Sequence, residues 1–335
     1  MTIKEIAKIA NVSQATVSLA LNNRPGVSDD TRNKIIQIAN QYGYIKKNNS
    51  RTKKQNILFI KYIGSGVAIE QNGDFIARII DSIEESASNL NYNITIKNII
   101  AKEFDTTIKF MSFDEYEGII FLGTEADTKD IIYLRKNVKI PIVAVDNIFG
   151  NYDIDTVLMD NYGGIDKAIK HLTSLGHRKI GYIDSTLRFE NFNNRTEAYH
   201  KSLSKYRLEK NQSILYVDPS LEGAYMDTIK YLKKGIKGEI TAFVAANDTI
   251  AIGAVKALRE FGIKIPAEVS IIGFDDIPFC SMLDKTLTTI KVDKEGIGSL
   301  AVNLLDNKIN YSFDATAKIL VTTELIKRES TSKPI

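Results

Sequence analysis

The sequence lacks the features of membrane, exported and disulfide-bonded proteins. It has one cysteine in 335 residues, Cys280, which excludes an internal disulfide framework and fits a reducing compartment. No apolar run approaches the ~18 residues of a membrane span, and the polar N-terminal residues contain no apolar signal-peptide core. We therefore expect a cytoplasmic protein without a membrane partner.

The signatures of cofactor and metal chemistry are also missing. There is no GxxxxGK[ST] phosphate loop, and Gly64–Gly66 lacks the third glycine of a dinucleotide fingerprint because Ile69 stands in its place. We interpret this glycine pair as a turn. The three histidines, His171, His177 and His200, have no metal-ligand spacing. We expect no metal, no cofactor and no enzymatic activity.

The charge is unevenly distributed along the chain. Residues 1–56 contain ten Lys and Arg against three Asp and Glu, a net charge of +7. Because the whole chain carries +3, the remainder carries −4. A basic head on a mildly acidic body favours a polyanionic partner for the head, although a run of charge is often only a solvated surface.

The stretch from Ile3 to Asn22 predicts two short helices joined by a tight turn. Thr2-Ile3-Lys4-Glu5 reads as a capping box, and Asn11 tolerates the left-handed conformation that ends a helix. Ser13 then caps a second helix, and Ser28 starts a third. This arrangement is typical of a helix-turn-helix, which lays its second helix in the major groove of DNA. The alternative is a helical hairpin that caps a globular domain.

The predicted domains are a helix-turn-helix domain at residues 1–44, a basic linker at residues 45–56 and a larger domain at residues 57–335. The linker is almost wholly polar and basic. In the larger domain, apolar runs such as Ile57–Tyr62 alternate with helical patterns such as Phe75–Leu90. This alternation predicts doubly wound parallel sheets, and its length favours two similar lobes.

Acidic and amide side chains follow several of the predicted strands. Asp146, Asp184, Asn247 and Asp275 stand at strand carboxyl ends, where ligands bind in such folds. For any one of these residues taken alone, a loop cap is the better explanation. Together with Arg195 they suit the hydroxyl groups of a sugar, and Phe75 or Phe192 can cover the apolar face of its ring.

Longer motifs then carry a resemblance to a known family. In the head they are IKEIAKIANVSQATVSLALNN and VSDDTRNKIIQIANQYGY. In the body they are EGIIFLG, IPIVAVDN, VLMDNYGG, HLTSLGHRKIGYI, NRTEAY, FVAANDTIAIGAVKALREFGIKIPAEVSIIGFDD, LTTIKVD and ELIKRES. The chain resembles the lactose-repressor/galactose-repressor (LacI/GalR) family of bacterial transcription regulators over nearly its whole length.

The resemblance implies a homodimer whose two heads read a pseudo-palindromic DNA operator. It also implies a body like that of periplasmic sugar-binding proteins, with crossings between lobes near Asp160, Ile290 and Leu320. Lobe 1 then comprises about 57–160 and 291–320, and lobe 2 about 161–290 and 321–335. A sugar or sugar phosphate would close the lobes and change operator affinity, which is allosteric coupling between two sites.

The resemblance and the residue chemistry together give the candidate site residues. The DNA-binding candidates are Thr2, Ser13, Gln14, Ala15, Thr16, Ser18, Leu19, Asn22, Ser28 and Thr31. Gln14 can pair with adenine and Ala15 can contact a thymine methyl group. The effector-binding candidates are Phe75, Asp146, Phe192, Arg195, Asn247 and Asp275.

Two positions depart from the family pattern. Leu19 stands where the family usually has an arginine that reads guanine, so either the preferred operator should differ at that base pair or specificity there should be looser. In the linker, Ser50-Arg51-Thr52-Lys53 replaces an Ala-Arg-x-Leu hinge helix whose leucine wedges into the minor groove. We therefore do not expect that kink here.

Three functions remain to be compared. The sequence favours a sugar-responsive DNA-binding regulator, and a repressor over an activator. A periplasmic-type sugar receptor without DNA function is the alternative, and it should begin with a signal peptide. A sugar-modifying enzyme would need catalytic residues that the motifs do not supply.

Overall fold

A computed structural model describes residues 2–21, 26–41, 55–67, 73–208, 213–234, 240–311 and 314–334. The chain divides into two compact units, Met1–Lys54 and Gln55–Ile335. Asn22 and residues 45–54 of the predicted linker lie outside the described residues.

The N-terminal unit contains three helices, α1 (Ile3–Ala10), α2 (Gln14–Leu21) and α3 (Asp29–Gln41). The predicted capping box of Thr2 and Glu5 is present at the start of α1. Asn11 ends α1 with a φ of 57°, in the left-handed region that its sequence predicts.

A small apolar core holds these helices together. Ile6, Val17 and Ile35 are completely buried, as their helical spacing predicts. Leu21, however, is only partly buried at the edge of this core, and Ala20 occupies the interior position. Both residues lie within one turn of Val17, so periodicity alone does not decide between them.

The second unit contains two six-stranded sheets. The first has the order β11-β5-β4-β3-β1-β2 and is parallel throughout. Its strands are β1 (Gln55–Ile63), β2 (Tyr92–Ile100), β3 (Tyr116–Leu122), β4 (Ile142–Val145), β5 (Asp155–Met159) and β11 (Lys318–Val321). Strand β1 begins at Gln55, earlier than the predicted Ile57, because its ladder with β2 extends to a Gln55–Tyr92 pair.

The second sheet has the order β12-β10-β9-β8-β6-β7. Its strands are β6 (Ile180–Ser185), β7 (Ile214–Val217), β8 (Ala242–Ala245), β9 (Ser270–Asp275), β10 (Thr288–Lys291) and β12 (Glu324–Ile326). Strand β12 runs antiparallel to β10, so this sheet is parallel except at one edge. The expected doubly wound architecture is confirmed apart from that strand.

Helices cover the sheets and connect their strands. They are α4 (Gly73–Asn89), α5 (Ala101–Phe110), α6 (Thr128–Asn137), α7 (Asn161–Leu175), α8 (Glu190–Lys205), α9 (Leu221–Lys233), α10 (Asp248–Glu260) and α11 (Lys294–Asn310). The chain passes between the sheets after β5, after β10 and after β11. Helix α11 follows the second passage and packs on α4 and on strands of the first sheet.

Replacing Gly298 by alanine should destabilise the second unit. A Cβ at this position of α11 would lie 2.8 Å from the carbonyl oxygen of Ile79 and from the Cβ of Ser82. Overpacking of this kind lowers the free energy of unfolding by about 1–3 kcal/mol, which denaturant titration would measure. Gly73→Ala is the control, because a Cβ there meets nothing within 4 Å. Equal destabilisation by both substitutions would contradict this helix packing.

Candidate functional site

The N-terminal unit presents hydroxyl groups at the start of each helix. Ser13 Oγ accepts a hydrogen bond of 3.0 Å from the backbone N–H of Thr16. Thr2 and Ser28 cap the other two helices in the same way, and the Ser28 hydroxyl also donates to Thr31 Oγ1 at 2.8 Å. These bonds satisfy N–H groups that a helix leaves open at its start.

Helix α2 carries the candidate base-reading residues on accessible positions. Gln14 and Ala15 are exposed, and Thr16, Ser18 and Leu19 are partly exposed. Two neighbouring turns thus offer an amide, a methyl group and hydroxyls to a partner. Amide and methyl groups of this kind read base edges in the major groove, and hydroxyl groups contact the phosphates beside it.

Basic side chains hold the carboxyl ends of the first two helices. Arg32 donates from Nη1 to the carbonyl oxygen of Ala20 at 3.2 Å, and Lys34 donates from Nζ to that of Ala10 at 3.5 Å. Cations at these positions interact favourably with the helix dipole. Part of the positive charge of the head therefore stabilises its fold.

A cavity in the second unit brings together residues from both sheets. The space between its walls, counted together with the solvent that it opens to, is about 380 Å³. Its lining residues are Phe75, Ile76, Thr124, Asp146, Met159, Phe189, Asn191, Phe192, Arg195 and Asp275.

Asp146 supplies the carboxylate of the first sheet. It follows β4 with a φ of 64° and is buried, which is a strained conformation for a residue other than glycine. Thr124 Oγ1 donates to its Oδ2 at 2.6 Å, and Asn191 Nδ2 donates to its Oδ1 at 2.9 Å. Burial raises the pKa of Asp146 to about 6, despite these donors and the charge of Arg195.

Arg195 lines the cavity and is 3% exposed. Its Nε donates to Asn161 Oδ1 at 2.7 Å, and its Nη1 donates to the carbonyl oxygen of Ala246 at 2.6 Å. Its Nη2 donates to Asp275 Oδ1 at 3.4 Å. The guanidinium carbon stands 3.7 Å from the centre of the Phe274 ring, so the ring supports one face of this charge.

Asp275 supplies the carboxylate of the second sheet. It is the last residue of β9, is buried and has a φ of 109°. Lys294 Nζ donates to its backbone oxygen at 2.6 Å. Burial raises the pKa of the Asp275 carboxyl group, and the neighbouring charges of Arg195 and Lys294 oppose that rise.

Apolar side chains form the other walls of the cavity. Phe75 and Ile76 come from the first turn of α4, and Phe192 comes from α8. The rings of Phe189 and Phe192 lie 6.1 Å apart at an angle of 31°. A ring with an apolar face and a polar edge matches these walls, as sugars do.

The cavity contains five of the six effector-binding candidates. Phe75, Asp146, Phe192, Arg195 and Asp275 all line it. Asn247 is buried but is not among the lining residues, and its Oδ1 accepts from the backbone N–H of Ile250 to cap α10. Its contacts are therefore those of a capping residue, which is the alternative that the sequence offered for each of these strand-end residues.

Asp184 likewise forms its contacts away from the cavity lining. Its Oδ2 pairs with Arg188 Nη1 at 2.6 Å and accepts from Thr196 Oγ1 at 2.7 Å. It does not line the cavity. The loop of Gly64–Gly66 is a bend, as the sequence predicts.

Three polar contributors to the site were not predicted from the sequence. Thr124 and Asn191 both bond Asp146, and Asn161 bonds Arg195 and donates to Asn191 Oδ1 at 2.8 Å. One signal was available for Asn191, because it precedes Arg195 by one helical turn and so shares its face of α8.

The described ranges contain neither a metal-binding cluster nor a membrane-spanning helix. No group of three or more His, Cys, Asp and Glu side chains there is arranged to hold a metal ion. No helix among these residues is both long and apolar enough to span a bilayer.

Comparison with known sequences finds relatives along the whole chain. Residues 2–47 match the model of the lacI family of bacterial regulatory proteins, and residues 169–331 match that of a periplasmic binding protein-like domain. The HTH-type transcriptional repressor PurR of Haemophilus influenzae (strain PittEE) is 30% identical over 98% of both chains. A Bacillus subtilis protein named probable HTH-type transcriptional repressor ExuR is 29% identical over 98% of both chains. The ribose operon repressor of Haemophilus influenzae is also 29% identical, again over 98% of both chains.

Comparison with solved structures finds the same fold. The lac repressor dimer bound to operator and the anti-inducer ONPF matches with a TM-score of 0.74 and 23% identity over 99% of both chains. A complex of the transcriptional regulator CelR with cellobiose matches with a TM-score of 0.72 and 20% identity over 98% of this chain and 99% of that one. A LacI family regulator of Enterococcus faecium with bound ribose matches with a TM-score of 0.69 and 24% identity, over 83% of this chain and 99% of that one.

Asp146→Asn should weaken the pH dependence of stability. The folded-state pKa of about 6 lies above the ordinary value of 3.8, so the folded protein holds this proton more tightly than the unfolded chain. The contribution of Asp146 therefore becomes less favourable as pH rises through this interval, by about 2 kcal/mol between pH 4.5 and 7.5. Denaturant titrations at both pH values should therefore show that the variant loses less stability than the wild type as pH rises. Asp227→Asn, which removes a surface carboxylate, is the control, and identical pH profiles for wild type and Asp146→Asn would contradict the raised pKa.

Proposed function

The chain belongs to the lacI family of bacterial regulatory proteins, and we propose that it is a repressor whose operator affinity depends on a sugar or sugar phosphate in the cavity. One observation carries the proposal. A basic three-helix unit with accessible base-reading residues shares its chain with a cavity walled by polar groups from two sheets.

Recognition of DNA is assigned to α2 and to the capping hydroxyls. Gln14 offers an amide to the N6 and N7 positions of adenine, and Ala15 offers a methyl group to thymine. Leu19 has no donor for guanine, so operator preference should differ from that of family members with arginine there. The role that the sequence predicts for Asn22 remains a proposal, and so does the role that it predicts for the linker.

A homodimer is the proposed DNA-binding form. A lac repressor dimer bound to operator is among the proteins of the same fold, which supports this assembly. Two heads related by a twofold axis would read a pseudo-palindromic operator. Because its partner is bacterial DNA, we place the protein in the cytoplasm.

The cavity is the proposed effector site. Proteins of the same fold bind ribose or cellobiose, and a ribose operon repressor is among the relatives. Carboxylates and a guanidinium beside aromatic rings suit paired hydroxyls on a ring with an apolar face. A ligand that contacts both sheets more fully in one lobe arrangement shifts the population towards that arrangement.

Two other functions receive less support. A sugar receptor without DNA function would not account for relatives named as transcriptional repressors that match over 98% of this chain. An enzyme would need a reacting group in the cavity, and the proposal assigns every polar residue there to ligand contact or to support. We therefore propose that the protein is not an enzyme.

Gln14→Ala should reduce discrimination at one base pair of the operator. Loss of a bidentate contact to adenine is expected to lower discrimination by about 1–3 kcal/mol. Operator selection from random duplexes, followed by binding titrations on single-base variants, measures it. Gln37→Ala is the control, because Gln37 is an exposed glutamine on α3. Equal weakening on all duplexes would contradict the base-reading role.

Arg195→Ala should abolish the effector response while operator affinity stays nearly unchanged. Arg195 reaches Asn161, Ala246 and Asp275, which are all parts of the second unit. The measurement is operator affinity with and without a panel of sugars. Arg188→Ala is the control, since Arg188 pairs with Asp184 away from the cavity lining. Loss of operator affinity in Arg195→Ala without sugar would make Arg195 a structural residue.

A further inference from the structure

Lys294 is a buried cation at a position that disfavours positive charge. It is the first residue of α11 and is 4% exposed. Lysine is almost never fully buried unless it is paired. The dipole of a helix also disfavours a cation in its first turn. Because burial and the helix dipole both oppose Lys294, contacts outside its own helix must account for its position.

The side chain of Lys294 donates to the end of a strand in the second sheet. Its Nζ donates to the backbone oxygen of Asp275 at 2.6 Å and to that of Asp276 at 3.3 Å. These two residues have φ values of 109° and 53°, which are strained for residues other than glycine and persist only where the surrounding structure holds them. Arg328 holds the same turn, with its Nη2 2.8 Å from Asp276 Oδ1. Lys294 therefore helps to fix the backbone that carries the Asp275 carboxylate.

The helix that begins at Lys294 is fixed to the first sheet. Helix α11 packs on α4 and on β3, β4 and β5. Ser82 Oγ of α4 donates to the carbonyl oxygen of Glu295, in the first turn of α11, at 2.6 Å. Lys294 Nζ also lies 5.6 Å from the centre of the Phe75 ring, within the range of a cation–π contact. Because Phe75 is in the first turn of α4 and lines the cavity, Lys294 contacts walls that belong to both sheets.

Lys294 makes this connection from outside the cavity lining. It is not among the lining residues, and its acceptor at Asp275 is the backbone oxygen. The Asp275 carboxylate therefore keeps its contact with Arg195. The bond between Asn191 and Asp146 also joins the two sides, but both of its residues line the cavity. A ligand that binds Asp146 competes with Asn191, whereas it has no direct access to the contact of Lys294.

We propose that Lys294 is a positioning residue that holds the Phe75 and Asp275 walls of the cavity together and so favours the observed arrangement of the two sheets without a ligand. Its ammonium group bonds one sheet, and its helix is packed on the other. A buried ammonium group without acceptors is costly, so an arrangement that separates it from β9 is disfavoured. The effect of Lys294 on DNA binding rests on the proposed function, in which the arrangement of the sheets sets operator affinity.

Spin-label distances between the two sheets test this role without a ligand. Lys136→Cys on α6, which connects β3 and β4, and Lys233→Cys on α9, which connects β7 and β8, introduce labelling sites at exposed positions. The native Cys280 is completely buried. Dilution of the labelled full chain into unlabelled chain isolates distances within one protomer of a homodimer. Double electron–electron resonance should show a broader distribution, or a second distance, when Lys294→Met is added.

Matched variants separate this role from a general loss of stability. Lys291→Met is the control, because Lys291 is the exposed last residue of β10, and its distances should equal those of the wild type. Wild-type distances in Lys294→Met would overturn the positioning role. If circular dichroism shows that Lys294→Met does not fold, Ser82→Ala decides, because it removes the bond between α4 and the first turn of α11. A broader distribution is expected there too, and an unchanged one would overturn the role.

Operator affinity separates this inference from the function on which it rests. On a duplex selected by the wild type, Lys294→Met should change operator affinity without sugar by about 5-fold or more, and Lys291→Met should leave it unchanged. Broader distances with unchanged operator affinity would contradict the proposed coupling to DNA and support the positioning role. Selection of no duplex would overturn recognition of DNA, and the spin-label distances would still decide the role of Lys294.

Discussion

The guanidinium group of Arg195 is the interaction on which the cavity depends. A buried charge is stable only when its partners are well placed, and Arg195 takes them from the ends of β8 and β9 and from the start of α7. The ring of Phe274 lies 3.7 Å beneath it. The same helix carries Asn191, which bonds Asp146 of the first sheet. Helix α8 therefore joins the polar ends of both sheets.

This arrangement suggests how a ligand acts on the rest of the fold. Asn161, the first residue of α7, follows the first passage between the sheets and bonds both Arg195 and Asn191. A ligand that moved the guanidinium group would therefore also alter the hydrogen bond to Asn161, next to the point where the chain first passes between the sheets. The strained backbone of Asp146 and Asp275 is held by the same contacts. Under the proposed function, ligand binding in the cavity would therefore be linked to the relative position of the two sheets.

Much of this fold can be read from the sequence, since apolar runs and helical periodicity are local signals. The runs Ile214–Val217 and Ala242–Ala245 coincide with β7 and β8. The strand-end aspartates of the cavity were also predictable, because the carboxyl ends of parallel strands meet at one edge of a sheet. The contacts of Asn161 with Arg195 and Asn191 were not, because they join residues 34 and 30 positions apart that share no local pattern. Only the packed fold brings them together.

Reciprocal coupling between the cavity and the operator is the most direct test of this account. Affinity for the operator would be measured with and without saturating sugar, and affinity for the sugar with and without saturating operator. Because a homodimer carries two cavities for one operator, thermodynamic linkage requires the operator ratio to equal the product of the two sugar ratios, and coupling between two sites commonly amounts to a factor of about 5–150. Allosteric coupling predicts sugar and operator ratios that differ from one and satisfy this relation. Ratios of one for a sugar that fills the cavity would contradict it.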